Sequence, residues 1–218
     1  QLRLRTLFHK SKAAQDGYIK PAIDADLSDP DWEPAYEGDY GHQFDHRFGT
    51  FEQGAVRDVT RAEHVDPEFE PEFEWVGSRQ EFERKMEYWG VSLKRSAILA
   101  FRRVARSTDE RTSLAAMIPF RSVTNSWILV LDPDPRAQAA LCGAMNSLVL
   151  DYCLRNSLSQ PSIPQNVYEQ LPVPRPSKLM NEPCLAFITP KVLELTYTSH
   201  SLAPFARDLG HDGPPFAW

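Results

Sequence analysis

The sequence lacks the short motifs by which many catalytic domains are identified. It has no glycine-rich phosphate loop, no Cys-x-x-Cys pair and no Ser-His-Asp order. Its three cysteines are odd in number and lack metal-ligand spacing, which favours free thiols in a reducing cytoplasm. No apolar run approaches the length of a membrane span, so we expect no membrane contact. We therefore predict no catalytic residue, metal ligand or cofactor site within this chain.

What the chain does contain is enough apolar material for a folded core. Hydrophobic residues make up 42% of its 218 residues, and the formal net charge is −6. It starts at Gln1 instead of methionine and ends on Trp218, which we interpret as a segment of a longer polypeptide. The acidic balance argues against a general nucleic-acid coat protein, but it leaves room for a local binding face.

Residues 96–131 are the centre of the predicted fold. Two apolar runs, 97–104 and 113–119, are joined by a polar turn, and a third run follows at 127–131. Apolar residues alternate through these runs in the way that is typical of strands at least half buried. The same stretch carries most of the local positive charge, since residues 94–121 hold seven lysines and arginines against Asp109 and Glu110. A positive cluster in an acidic protein is a candidate surface for a polyanion.

Eight residues between positions 94 and 125 are the candidate binding residues. Arginine forks onto phosphate oxygens or guanine edges, so either kind of contact fits the cluster. The alternative is that these side chains form internal salt bridges with Asp109, Glu110 or the acidic segment 61–87. Composition does not decide between binding of a polyanion and internal salt bridges. The candidates are Lys94, Arg95, Arg102, Arg103, Arg106, Arg111, Arg121 and Asn125.

The rest of the pattern predicts an α+β fold. Strands at 36–51 and 69–76 should join the central three in one mixed, largely antiparallel sheet, with a helix at 78–89. One long amphipathic helix, 135–157, begins at Asp134 and Pro135 and should cover the sheet. Short helices follow at 191–198 and 203–209, the second closed by Gly210. We divide the chain into a leader or edge segment (1–35), an α+β domain (36–176) and a truncated helical segment (177–218).

Two patterns suggest a metal site, and both have a simpler explanation. His42, Asp45 and His46 lie close in sequence, but in a strand Asp45 would point away from the histidines, so exposed strand polars are the favoured interpretation. Asp31 with Glu83 and Lys85 resembles the carboxylate pattern of magnesium-dependent nucleases, yet the gap is long and Glu83 falls on a helix. We predict no metal at either position.

Four blocks of the chain carry a family resemblance, in the same order and spacing. Residues 100–119 (AFRRVARSTDERTSLAAMIP) resemble "FRDIARSTNERT…IAAIIP", and residues 42–48 (HQFDHRF) follow the Tyr-Glu-Gly at 36–38 as in "YEGKM…HQFDHRF". Residues 141–174 and 191–218 resemble "NSFVFDYLLRQ…LKQLPVP" and "ILELTYTAWDLEPFARDLGYDGPPF". These blocks resemble the C-terminal, target-recognition region of large bacterial adenine-specific DNA methyltransferases. Such enzymes belong to type II (IIG-like and IIS) restriction–modification systems, which serve in phage defence.

The resemblance implies a function for the chain as part of a larger enzyme. It implies a DNA target-recognition domain that binds double-stranded DNA and positions an adenine for a methyltransferase domain of the same polypeptide. Activity would belong to the parent, which uses S-adenosylmethionine and in some members also cleaves DNA, because this chain has no Asn-Pro-Pro-Tyr motif. The alternative is an interaction module that packs on the methyltransferase domain without touching DNA. Neither interpretation gives the recognised DNA sequence or the oligomeric state.

Overall fold

The computed structural model describes residues 3–132, 134–174, 179 and 181–218. Helices combine with antiparallel sheets, which confirms the predicted α+β class. The strands are β1 (Leu4–Arg5), β2 (Ile19–Pro21), β3 (Trp32–Pro34), β4 (Gly49–Glu52), β5 (Ala55–Asp58), β6 (Trp75–Ser78), β7 (Ala97–Arg102), β8 (Ala115–Pro119) and β9 (Trp127–Val130). The helices are α1 (Lys10–Gln15), α2 (Arg61–Val65), α3 (Arg79–Tyr88), α4 (Pro135–Met145), α5 (Leu148–Ser157), α6 (Gln165–Glu169), α7 (Glu182–Thr196) and α8 (Ala203–Asp208). Over the described residues, no helix is both long and apolar enough to cross a membrane.

A four-stranded sheet in the order β1-β9-β7-β8 lies at the centre of the fold. Hairpin β7–β8 sets Leu99 opposite Met117, and β9 pairs with the other edge of β7. Side chains alternate between the two faces of a strand, and here both faces are covered. Leu99 and Phe101 pack in a core with α4, while Ile98 and Ala100 pack in a second core on the opposite face. The three central runs are therefore strands, as predicted, and they are buried on both sides.

The segment 1–35, predicted as a leader or edge, contributes three strands to the fold. β1 forms one edge of the central sheet by pairing with β9, whereas β2 and β3 pair with β6 in a separate sheet. Leu4, Phe8 and Ile19 are buried in the two cores. Residues 3–35 are thus integral to the folded unit, and residues 1 and 2 lie outside the described ranges.

The prediction of one continuous sheet is wrong. β6 belongs to the three-stranded sheet, and β4 pairs only with β5 in a two-stranded hairpin. Gln53 and Gly54 form the two-residue turn of that hairpin, and both have positive φ, 52° and 87°. Such a turn favours tight pairing of its own two flanking strands. Upstream, a 3₁₀ turn at Gly38–Tyr40 and the positive φ of Phe44 prevent residues 36–48 from extending as a strand.

The predicted long helix 135–157 is two helices. Asp134 caps the first helix as predicted, because its carboxylate accepts from the backbone N–H of Arg136 at 2.8 Å. The break comes at Asn146, whose side chain bonds both the N–H and the carbonyl of Ala115 in β8, at 3.0 and 2.8 Å. Ser147 then caps α5 by accepting from the N–H of Leu150. At this point the chain changes direction, because Asn146 bonds the backbone of the edge strand β8 and Ser147 starts a new helix.

The first C-terminal helix differs from the prediction mainly at its start. The helix expected at 191–198 begins much earlier, at Glu182, and Pro190 lies inside it. It packs on α4 so closely that a β-carbon on Gly143 would lie 3.1 Å from Ile188 and Val192. α8 ends as predicted, with Gly210 at φ 83°. The predicted boundary between residues 176 and 177 lies outside the described residues.

Candidate nucleic-acid interface

The candidate basic residues divide between the two ends of the β7–β8 hairpin. Ala97 pairs with Pro119 at one end, and Phe101 pairs with Ala115 at the other, so the ends lie roughly 14 Å apart along the strands. Lys94, Arg95 and Arg121 flank the first end. The other arginines, Arg102, Arg103, Arg106 and Arg111, flank the second. The positive cluster identified in the sequence is therefore divided into two separate groups in the fold.

Three of the candidates make contacts within the protein. Arg102 forms an ion pair with Asp39 at 2.5 Å. Arg111 donates to the backbone carbonyl of Asn146 at 2.7 Å, and its Nε lies 3.5 Å from the carboxylate of Asp151. Asn125 accepts from the backbone N–H of Lys10 at 3.0 Å, at the start of α1. For these residues the internal role is the one observed, although the partners are not the carboxylates that the sequence suggested.

Arg103 and Arg106 remain available at the second end of the hairpin. Their backbones are fixed: the N–H of Arg103 donates to the backbone carbonyl of Ser126 at 2.7 Å, and that of Arg106 donates to the carboxylate of Asp109. Arg106 is exposed and Arg103 half-buried. Within the described ranges, neither guanidinium forms an ion pair, so both can meet an external anion.

The first end opens into a basic groove of about 580 Å³. Four cationic side chains line it, namely Arg79, Lys94, Arg95 and Arg121. The only carboxylate in its described lining is Glu33, and both oxygens of Glu33 are already bonded. One accepts from the N–H and hydroxyl of Ser122 at 2.7 and 2.8 Å, and the other pairs with Arg79 at 3.0 Å. The groove thus carries an excess of positive charge in an acidic protein.

The cations of the basic groove differ in whether they already bond to groups within the protein. Arg95 donates to the carbonyl of Asp132, and burial lowers the pKa of its guanidinium. Its Nη1 is buried and has no partner among the residues that the structure describes. Lys94 is exposed and Arg121 half-buried, and neither has a carboxylate partner in the part of the chain that the structure describes. A second cavity of about 430 Å³ shares Lys94 and Arg95 and is also lined by Arg3 and Asp208, whose carboxylate accepts from the hydroxyl of Ser96. Lys94 and Arg121 are therefore the side chains most free to bind an anion.

Asp45, His46 and Arg47 of the HQFDHRF block are buried scaffold, which corrects the expectation of exposed strand polars. Arg47 is fully buried and donates to four backbone carbonyls, those of His64, Asp66, Phe69 and Thr198. Asp45 bonds His64 at 2.9 Å and the N–H of Arg47 at 2.8 Å. Burial alone would raise the pKa of Asp45, but these hydrogen bonds hold it below its usual value.

His46 connects this scaffold to the basic groove. Its Nε2 lies 2.8 Å from the hydroxyl of Ser201, and Ser201 lines the groove. Burial lowers the pKa of His46 to about 3 against the opposing charge of Asp45, and Arg47 and Arg121 act in the same direction as burial. The imidazole is therefore neutral near pH 7. Sequence reasoning missed Ser201, because no local pattern marks a residue that contacts a histidine 155 positions away.

The two suggested metal patterns have other roles. Asp31 caps α3, where its carboxylate accepts from the N–H of Gln80 at 2.7 Å and from the hydroxyl of Ser78 at 3.0 Å. Glu83 pairs with Arg79 at 2.7 Å. Among the described residues, no group of three or more histidine, cysteine, aspartate or glutamate side chains could hold a metal ion.

Comparison of the chain with protein-family models, with curated proteins and with solved structures found no match.

Proposed function

We propose that this chain is the DNA target-recognition part of an adenine-specific DNA methyltransferase, or of a fused restriction–modification enzyme. The observation that carries the proposal is the basic groove, in which Lys94 and Arg121 have no carboxylate partner in the described ranges. Unpaired cations at an open groove gain most from a polyanion, because phosphate contacts release counterions. The family resemblance of residues 36–218 supports DNA as that polyanion.

In this proposal, the two ends of the hairpin have different tasks. Lys94, Arg95 and Arg121 contact backbone phosphates and fix the register of the duplex. Arg103 and Arg106 lie roughly 14 Å further along the hairpin, less than half of the ~34 Å repeat of duplex DNA. They are the candidates for a second backbone contact or for base edges. Arg102, Arg111 and Asn125 support these residues from within the fold.

The chemistry would belong to a methyltransferase domain of the same polypeptide. That domain would bind S-adenosylmethionine and receive the target adenine flipped out of the duplex. The present chain would contribute affinity and sequence selection, and it would have no activity alone. Cleavage of DNA, if the parent carries it out, would also use residues outside this chain.

The test is duplex binding by the 218-residue chain, measured by fluorescence anisotropy over a range of salt concentrations. The double variant Lys94→Gln with Arg121→Gln should bind more weakly, and its slope of log affinity against log salt should fall by about 2, since each lost phosphate contact removes ~0.9. The matched control is Lys12→Gln with Lys191→Gln, which removes two exposed charges outside the groove. Equal slopes for the two double variants would remove the groove from the DNA interface.

A second candidate function is an interaction module that packs on the methyltransferase domain without DNA contact. An exposed apolar face on α5 and α7 favours it: Val149 is 71% exposed and Phe187 is 65% exposed. Both side chains line an apolar groove of about 450 Å³ between these helices. Large exposed apolar side chains gathered in one place are typical of interaction surfaces.

The apolar face can be tested separately from the basic groove. Val149→Glu with Phe187→Glu should abolish co-elution with the separately expressed methyltransferase domain of the parent polypeptide, and it should leave duplex affinity unchanged. Co-elution that survives both substitutions would argue against this face as the contact.

A further inference from the structure

The hydroxyl of Ser201 belongs to a small buried hydrogen-bonded cluster that opens into the basic groove. Its oxygen lies 2.8 Å from Nε2 of His46 and 2.6 Å from the hydroxyl of Ser199. Ser199 also approaches Nε2, at 3.2 Å. His46 and Ser199 are fully buried, whereas Ser201 is half-buried and reaches the groove surface. The three polar groups therefore form one hydrogen-bonded cluster, of which Ser201 reaches the groove.

The tautomer of His46 follows from which of its two ring nitrogens has no hydrogen-bond partner. Nδ1 of His46 is buried and has no partner in the described structure. Unpaired buried N–H donors are rarer in folded proteins than unpaired acceptors, so the proton belongs on Nε2, and Nδ1 is the bare acceptor. Nε2–H then donates to Ser201, its nearer neighbour.

This tautomer orients both hydroxyls. Ser199 is enclosed, so its O–H must donate within the cluster, and the oxygen of Ser201 at 2.6 Å is the available acceptor. Ser201 therefore accepts from His46 and from Ser199, and its own O–H has no acceptor left inside the cluster. The free direction for that O–H is toward the groove, where Lys94 and Arg121 also lie.

We propose that Ser201, Arg121 and Lys94 form a site for a single phosphate group, with Ser201 as a neutral donor held in place by His46. A fixed hydroxyl that lines the same groove as two cations without carboxylate partners in the described residues matches the several acceptor oxygens of a phosphate. His46 is a positioning residue, since it acts through Ser201. The proposal rests on the proposed function only in naming a DNA backbone phosphodiester as the bearer of that phosphate.

The first experiment measures duplex affinity and its salt dependence for Ser201→Ala. We expect about tenfold weaker binding with an unchanged salt slope, because a neutral hydrogen bond to a charged oxygen is lost and no counterion is involved. Arg121→Gln should instead lower the slope by about 0.9. Ser201→Thr, which keeps a hydroxyl, should recover most of the affinity, and Ser11→Ala on the exposed face of α1 is the matched control. If the wild-type chain binds duplex and Ser201→Ala binds equally well, the site is wrong.

The second experiment separates this site from the proposed function. Melting temperatures are measured in inorganic phosphate and in chloride at equal ionic strength and pH, since a ligand of the folded state raises the melting temperature. If the wild-type chain does not bind duplex, the proposed function fails and this experiment decides the site. Stabilisation by phosphate that is lost in both Ser201→Ala and Arg121→Gln would keep the site, and no stabilisation of the wild-type chain would overturn it.

Discussion

Acidification should destabilise this protein through one buried imidazole, that of His46. The side chain is fully buried, and its pKa in the folded state is lowered from 6.5 to about 3. As the pH falls below 6.5, the unfolded chain takes up a proton at this position and the folded chain does not. The unfolded state then binds more protons, so stability falls with decreasing pH. The contribution is fully present above pH 6.5 and is lost progressively between that value and pH 3.

The expected size follows from the linkage between proton binding and stability. Each pH unit in this window costs about 1.4 kcal/mol for one proton taken up on unfolding. Between pH 6.5 and about pH 5 the free energy of unfolding should therefore fall by ~2 kcal/mol. That is a large part of the ~5–15 kcal/mol that stabilises a typical domain. His42 adds a contribution of the same sign, since burial also lowers its pKa, but it is only half-buried.

The assay is urea unfolding at several pH values for the wild-type chain and for His46→Gln. Glutamine can place an amide near the position of Nε2, so the contact with Ser201 can be kept while the titrating group is removed. The variant should be less stable near neutral pH but should lose ~1.4 kcal/mol less per pH unit below pH 6.5. His42→Gln is the comparison and should keep most of the wild-type slope. Parallel pH dependence in the wild type and His46→Gln would refute the buried, neutral imidazole.

Two further predictions follow from close packing and from burial. Gly41→Ala should destabilise the chain by about 1–3 kcal/mol in urea unfolding, because its β-carbon would lie 2.6 Å from the ring of Trp127; unchanged stability would show that this contact can relax. Cys142 should resist alkylation by iodoacetamide in the folded chain, since burial raises the pKa of its thiol to about 12, while the half-buried Cys153 and Cys184 react first; mass spectrometry of digested protein would show the reverse order if this is wrong.

The predictions from sequence that succeeded depend on neighbours along the chain. The apolar runs of β7, β8 and β9 could be predicted as buried strands because they are short and are bounded by polar turn residues. Helix α3 begins after Ser78 and helix α4 after Asp134, since these residues cap the first N–H groups of their own helices. Gly210 ends α8 because it adopts positive φ at little cost.

Pairing between distant residues, in contrast, was decided only by the tertiary structure. Arg102 is internal because the fold brings it to Asp39, 63 residues away, and no local pattern selects that partner. Helix 135–157 is interrupted because Asn146 meets the backbone of β8, a contact that helical periodicity does not contain.

The candidate site shows the same division. The sequence by itself determined that positive charge gathers around one hairpin, because charge is a property of composition. Only the fold decided which cations remain unpaired, and only the fold placed Ser201 beside His46 at the groove. The physical reason is that the groups packed around a side chain decide whether its charge or hydrogen-bonding atoms are already paired. Most of those groups are distant in sequence.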